Sequence, residues 1–329
     1  MAAPQASAVR QRSPSPDDAL EFFADSLEAL YDHHVPAHGD PLQLYTYTPP
    51  ASTGIESITV RLPPQAVNSL FAHHVWNAAL RMADALTERR LVVEGGGVLE
   101  LGAGAGIPGL VAARMGAERV VLSDYDDPGI ILNLRTNIPL AFPNSPAIRS
   151  RVSAQGHTWG DSASLSTLLH PSPTSSAQPF THILLADTLW YSEGHDLLLS
   201  SLSSLLARNR DARVHICAGF HSGRRTVRSF LRKAAQSGFV PRGPWVEVGV
   251  DGGRRQWGWD VPTSAERHAA AEDEVEEWDE REDASERNKW VVEGALGWSD
   301  EVLRPSAADV DAQAWPEAET SLGAAADTQ

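Results

Sequence analysis

Between residues 98 and 219, short apolar runs alternate with stretches of helical periodicity. VLELG (98–102), RVVLSD (119–124), ILLAD (183–187) and VHICAG (214–219) are apolar almost throughout, as parallel strands covered on both faces must be. The segments between and after them, 107–115, 128–137, 194–207 and 223–237, carry apolar residues at spacings of three and four and predict helices. Strands alternating with helices predict a doubly wound α/β sheet. A further strand is expected over 147–153 (AIRSRVS), followed by a Ser/Pro-rich surface loop over 162–178. Residues 239–250 and 289–298 (KWVVEGALGW) read as two more strands.

Upstream, Leu20, Phe23, Leu27, Leu30 and Tyr31 form an apolar stripe behind Asp17 and Asp18, predicting an amphipathic helix over 17–34. LQLYTYT (42–48) and ITVRL (58–62), separated by Pro, Ser and Gly, predict a hairpin, and 75–90 predicts another helix. The expected organisation is therefore a disordered Pro/Ser-rich leader over 1–16, a helical and hairpin extension over 17–90, the main domain over 91–298, and a disordered tail over 299–329. Within the main domain, 251–287 reads as an acidic insertion between two strands. Its segment 272–287 holds ten carboxylates and two arginines, half of the chain's net charge of -16, and is expected to be a solvated run.

That net charge argues against nucleic acid as a direct partner. The lone Cys217 excludes an intramolecular disulfide and any Cys-based zinc site, and its apolar run places it in the core. His33–His34 and His73–His74 are adjacent pairs whose side chains do not share a face in regular structure, a poor start for a metal site. No apolar stretch is long enough for a membrane span, and the first 20 residues lack a signal-peptide core, so a cytoplasmic monomer is expected.

The sharpest signal is VLELGAGAGIPGL at 98–110, a strand running through Gly102, Gly104, Gly106 and Gly109 into a helix. It fits both the dinucleotide fingerprint, with Gly104, Gly106 and Gly109, and the pattern E-x-G-x-G-x-G. Glu100 favours the second: a carboxylate at the strand end repels a pyrophosphate and suits the ammonium and sulfonium charges of S-adenosylmethionine. Asp124 ends the next strand, 22 residues past Gly102, where an acid accepts both hydroxyls of a ribose.

With VWNAAL (75–80), VVLSDYDDPGIILNLRTNI (120–138), HTWGD (157–161) and ILLADTLWYSEGHDLLL (183–199), the chain resembles the class I, seven-β-strand S-adenosylmethionine-dependent protein methyltransferases of the lysine-methylating group. Within it, the nearest resemblance is to the fungal enzymes, formerly labelled nicotinamide N-methyltransferases, that modify the N-terminus and adjacent lysine of elongation factor 1-alpha. The resemblance covers about residues 20–250 and the strand near Trp290. It implies a Rossmann-like, mostly parallel seven-stranded sheet with helices on both faces, S-adenosylmethionine as cofactor, and elongation factor 1-alpha as protein partner. It implies cofactor contacts from Trp76, Gly102, Ala103, Gly104, Asp124, Trp159 and Ala186, to which the reading above adds Glu100.

At the carboxyl end of the ILLA strand, Asp187 is expected to orient the acceptor amine, and Trp190 or Tyr191 to wall its channel. The family's acid-x-x-Phe/Tyr pattern is altered here, since Trp190 takes the aromatic place and Tyr191 follows one position late. A carboxylate beside a lysine raises the lysine's pKa, so Asp187 reads as a positioner rather than a base. A small-molecule N-methyltransferase of the nicotinamide type, a non-catalytic cofactor-binding scaffold, and an NAD-dependent oxidoreductase remain as alternative readings.

Overall fold

The computed structural model describes residues 37–64, 71–170, 176–258 and 284–304. The expected leader, the helix over 17–34, most of the acidic run and the tail beyond 304 lie outside them. Thirteen strands and seven α-helices are named in chain order. The extension carries β1 (Ala37–His38), β2 (Leu44–Tyr47), β3 (Ile58–Arg61), β4 (Val75–Trp76) and α1 (Asn77–Thr87). The main domain continues through β5 (Gly97–Leu101), α2 (Ile107–Arg114), β6 (Arg119–Asp124), α3 (Pro128–Ala141), α4 (Pro146–Arg149), β7 (Val152–Gly156) and α5 (Ser162–Leu169). Its second half holds β8 (His182–Ala186), α6 (His195–Leu205), β9 (Arg213–Gly219), α7 (Arg224–Gln236), β10 (Phe239–Pro241), β11 (Val246–Gly249), β12 (Arg254–Gln256) and β13 (Trp290–Trp298).

The main sheet has nine strands in the order β12-β11-β13-β9-β8-β5-β6-β7, with β10 also pairing β13. The five strands from β9 to β7 are parallel; β13 enters antiparallel against β9. The chain winds outward from β5 through β6 to β7, then returns to the other side of β5 for β8 and β9. The order therefore reverses between β5 and β8, where the carboxyl ends of an open sheet leave a crevice.

The apolar runs reflect double coverage. Val98, Val120, Leu122 and Leu184 join the core under α1, α2, α3 and the hairpin, whereas Leu99, Leu101, Val121, Ile183 and Leu185 join the opposite core under α5, α6 and α7. The β2–β3 hairpin is tied to this frame by Asn137 of α3, whose Oδ1 accepts from Arg61 N at 2.7 Å while its Nδ2 donates to Arg61 O and Ala105 O. Among the described residues no helix is long and apolar enough to cross a membrane.

Four expectations are corrected. Residues 146–149 form the short helix α4, so β7 begins only at Val152. The start of the expected 162–178 loop is the helix α5, because Asp161 accepts from Ala163 N and Ser164 N and caps it. The expected strand over 239–250 is broken into β10 and β11, which pair with successive halves of β13, and Pro244 between them lacks the N–H a continuous ladder needs. Finally, residues at the start of the expected insertion form β12, an added edge beyond β11, so the sheet exceeds seven strands.

A Cβ at Gly294 of β13 would overlap the Trp245 ring. Gly294→Ala is expected to lower the unfolding free energy in a urea titration by about 1–3 kcal/mol. Gly258, with open space around its Cα, is the control, and Gly258→Ala should stay within about 0.5 kcal/mol of wild type.

Candidate active site

The turn from β5 into α2 is compressed from two sides. Gly102, Gly104 and Gly106 all adopt positive φ, and a Cβ on Gly102 would stand 2.7 Å from the Thr188 methyl. Gly109, one turn into α2, sits so close to β6 that a side chain there would overlap Leu122. Its N–H donates to Glu100 Oε2 at 2.8 Å, so the Glu100 carboxyl fills the amino end of α2 from beneath. From the flank, Asp124 Oδ2 accepts from Gly104 N and its Oδ1 from Tyr125 N, both at 2.7 Å.

Burial governs both acids. It pushes the Glu100 carboxyl up to about 8, against the Gly109 hydrogen bond and helped by the nearby Asp124 charge. It pushes Asp124 up to about 6, while the two backbone donors pull it down. At pH 7 Glu100 is therefore mostly neutral and Asp124 mostly ionised. The expected division of labour shifts accordingly: Asp124 carries the negative charge beside the turn, and Glu100 acts chiefly as a prop beneath it.

Trp159 stands on the loop between β7 and α5. His157, buried two residues earlier, bridges Ser164 Oγ at 2.8 Å and Ser201 Oγ at 2.9 Å, and Gly160 N donates to the same Ser201 oxygen. Burial holds the His157 imidazole below its usual pKa, so this anchor is neutral. Trp76, the last residue of β4 and the N-cap of α1, donates through Nε1 to Phe71 O at 3.1 Å. The Phe71 ring meets Trp190 edge-on at 5.4 Å and Trp76 at 6.3 Å, and Trp190 lies 5.8 Å from Tyr191. Asp187 leaves β8 at φ 60°, with its N–H on Cys217 O and its Oδ1 accepting from Gly219 N at 2.9 Å.

All eleven residues singled out in the sequence line one cavity of about 460 Å³ at the carboxyl ends of the parallel strands: Trp76, Glu100, Gly102, Ala103, Gly104, Asp124, Trp159, Ala186, Asp187, Trp190 and Tyr191. They come from five separate segments. That size lies within the range of ligand cavities that enclose a drug-sized molecule. The glycine cradle leaves backbone room for an extended ligand, Asp124 offers an anionic oxygen beside it, and the indoles of Trp76 and Trp159 offer flat apolar surface, a set that suits a nucleoside carrying a cationic sulfonium arm. The sequence reading missed Phe71, Tyr125, His157 and Thr188, which also line the cavity. Of these, His157 was legible within HTWGD, whereas Phe71 enters only through its contacts with the two tryptophans. Cys217 is buried and unpaired in β9, with its thiol pushed up by burial, consistent with a core position.

Residues 56–237 match the family described as lysine methyltransferase. Curated relatives include the protein N-terminal and lysine N-methyltransferase EFM7 of Gibberella zeae, 37% identical over 150 residues that cover 44% of this chain and 56% of that protein. EFM7 of Cryptococcus neoformans is 29% identical over 197 residues, covering 59% and 58%. The efm7 protein of Schizosaccharomyces pombe is 33% identical over 168 residues, covering 51% and 63%. The chain thus spans less than two thirds of the length of each of these relatives.

The prop beneath the turn has a measurable signature. A carboxyl with pKa about 8 in the fold, against an ordinary 4.5, binds more protons folded than unfolded between those values. Its contribution to stability is complete below about pH 4.5 and is lost as pH rises through 8. Glu100→Gln removes this dependence, so in urea titrations wild type should lose stability relative to the variant from pH 5 to 8, by at most about 1.4 kcal/mol per pH unit. A difference that is constant across that range refutes the assignment.

Proposed function

The chain belongs to the lysine methyltransferase family, and from that premise we propose that it is an S-adenosylmethionine-dependent protein N-methyltransferase acting in the cytoplasm on the N-terminal α-amine and a nearby lysine of elongation factor 1-alpha. The observation that carries this reading is the single cavity into which five distant segments bring the glycine turn, Asp124, the two indoles and the Asp187–Tyr191 loop. The names of the relatives, protein N-terminal and lysine N-methyltransferases, support an amine of a protein as acceptor.

In this reading Gly102, Ala103 and Gly104 lie along the methionine moiety, Asp124 accepts the ribose hydroxyls, Trp76 and Trp159 flank the nucleoside, and Ala186 leaves room at the reacting centre. S-adenosylmethionine, when bound, supplies an electrophilic methyl on a sulfonium sulfur. The protein's remaining work is to deliver a neutral nitrogen in line with that methyl. Proximity of this kind is worth roughly 7–11 kcal/mol in favourable cases, so a strong base is not required. Phe71, Trp76, Trp190 and Tyr191 present aromatic faces and edges around the cavity, which accommodate a cationic amine and then strip its water. Desolvation lowers the amine's pKa, and Asp187 directs it rather than deprotonating it.

The test is methyl transfer from labelled cofactor into lysate of cells lacking the enzyme, with mass spectrometry of the labelled protein. One labelled band, elongation factor 1-alpha modified at its N-terminal residues, is expected. Asp124→Ala should abolish the label and weaken cofactor binding by about tenfold or more, the cost of one charged hydrogen-bond partner. Turnover of nicotinamide with no labelled protein favours a small-molecule acceptor, and cofactor binding without transfer to either favours a scaffold.

A further inference from the structure

Behind the main cavity lies a second, smaller one, lined among others by Asn77, Gly219, Phe220, His221 and Trp290. Asp187 is the one described residue that lines both. Its left-handed backbone is uncommon for a residue with a Cβ, and such conformations persist where the surroundings over-determine them. The over-determination is visible: the Asp187 N–H is held by Cys217 O and its Oδ1 by Gly219 N, so the end of β8 is laced to the end of β9. The remaining carboxylate oxygen, Oδ2, faces His221 Nδ1 at 4.0 Å, and both side chains are more than nine-tenths buried or close to it, at 5% and 9% exposure.

The face of His221 packs on Trp76, ring centres 5.2 Å apart at 34°. Trp76 in turn lines the main cavity. His221 has little freedom to move away. Its neighbour Phe220 is held between the Arg224 guanidinium at 4.0 Å and the Trp257 ring at 5.7 Å, and Arg224 is itself paired through two nitrogens with buried Glu247. One imidazole thus packs on the Trp76 indole and faces the Asp187 carboxylate, two groups that both line the main cavity.

We propose that His221 is a positioning residue for methyl transfer. Oδ1 is held by the Gly219 hydrogen bond, and the His221 ring nitrogen standing 4.0 Å from Oδ2 narrows the rotation left to the Asp187 carboxylate, so that its remaining lone pairs present toward an incoming amine N–H. The ring behind Trp76 keeps the indole wall at a fixed distance from that carboxylate. This inference rests on the methyltransferase reading above and adds to it a residue that does not itself contact the acceptor.

The test compares His221→Phe, which keeps a ring against Trp76 and removes the nitrogen facing Asp187, with His221→Asn, which restores a polar atom there and removes the ring. For the Phe variant, kcat with purified elongation factor 1-alpha should fall about tenfold while its KM for that protein changes by less than about threefold. Calorimetric cofactor affinity and Tm should stay near wild type. The Asn variant should recover kcat to within about threefold of wild type and bind cofactor a few-fold more weakly. Wild-type kcat in the Phe variant, or equal losses in the two variants, overturns the proposal. If the Phe variant does not fold, His221→Leu against His221→Asn makes the same polar-to-apolar comparison at constant shape, and equal kcat in that pair overturns it. Wild-type protein that transfers no methyl overturns the functional reading and this inference together.

Discussion

The cavity exists because the chain makes a tight turn between β5 and α2, and that turn is held by two buried carboxyl groups working on backbone N–H donors. Glu100 takes the Gly109 donor from beneath, at the amino end of α2, and Asp124 takes the Gly104 donor from the flank. A buried carboxyl is costly unless it is hydrogen-bonded or neutral. The two acids solve this differently, Glu100 by staying largely protonated and Asp124 by collecting two backbone donors. Asn137 extends the same logic outward, since one side chain closes the carbonyl of Ala105 in the turn and both backbone polar groups of Arg61 in the hairpin. The turn, the crevice at the strand-order reversal and the hairpin that flanks it are therefore one hydrogen-bonded unit.

Around that polar hinge the walls are aromatic. Two of the indoles are anchored from the chain around them: the Trp159 loop through His157 and Ser201, and Trp76 through the Phe71 carbonyl and the His221 ring.

The parallel strands were legible because residues covered on both faces cannot alternate with polar ones, and the helices between them because their apolar spacing is regular. Of the eleven residues that line the cavity, the glycines, Glu100 and Asp124 stand out as a strand-end motif in the sequence itself, whereas Trp76, Trp159 and Ala186 were pointed to by the family resemblance. What escaped the reading depended on partners distant in sequence. The helix α5 hid behind its serines although Asp161 marked its start. The break between β10 and β11 was written in Pro244, but its meaning emerges only when β13 is seen to pair with both pieces. The protonated state of Glu100 and the contact of His221 with Asp187 reflect burial, which no spacing encodes.

The position of β13 has an implication for the order in which the molecule is made. Residues 290–298 pair with β9 on one side and with β10 and β11 on the other, so the last of the described strands in chain order is an interior member of the sheet. Until it arrives, β9 presents an open ladder edge and the inner apolar faces of β10 and β11 have no partner. A nascent chain can assemble β5 to β8 around the glycine turn as those residues emerge, but the half of the sheet that backs Asp187 and His221 waits for β13 to be threaded into place. Such late, long-range pairing slows folding and prolongs exposure of an adhesive edge. The glycine turn and the β9–β13 pairing thus lie on opposite sides of β8, the one built from residues close together in the chain and the other from residues far apart.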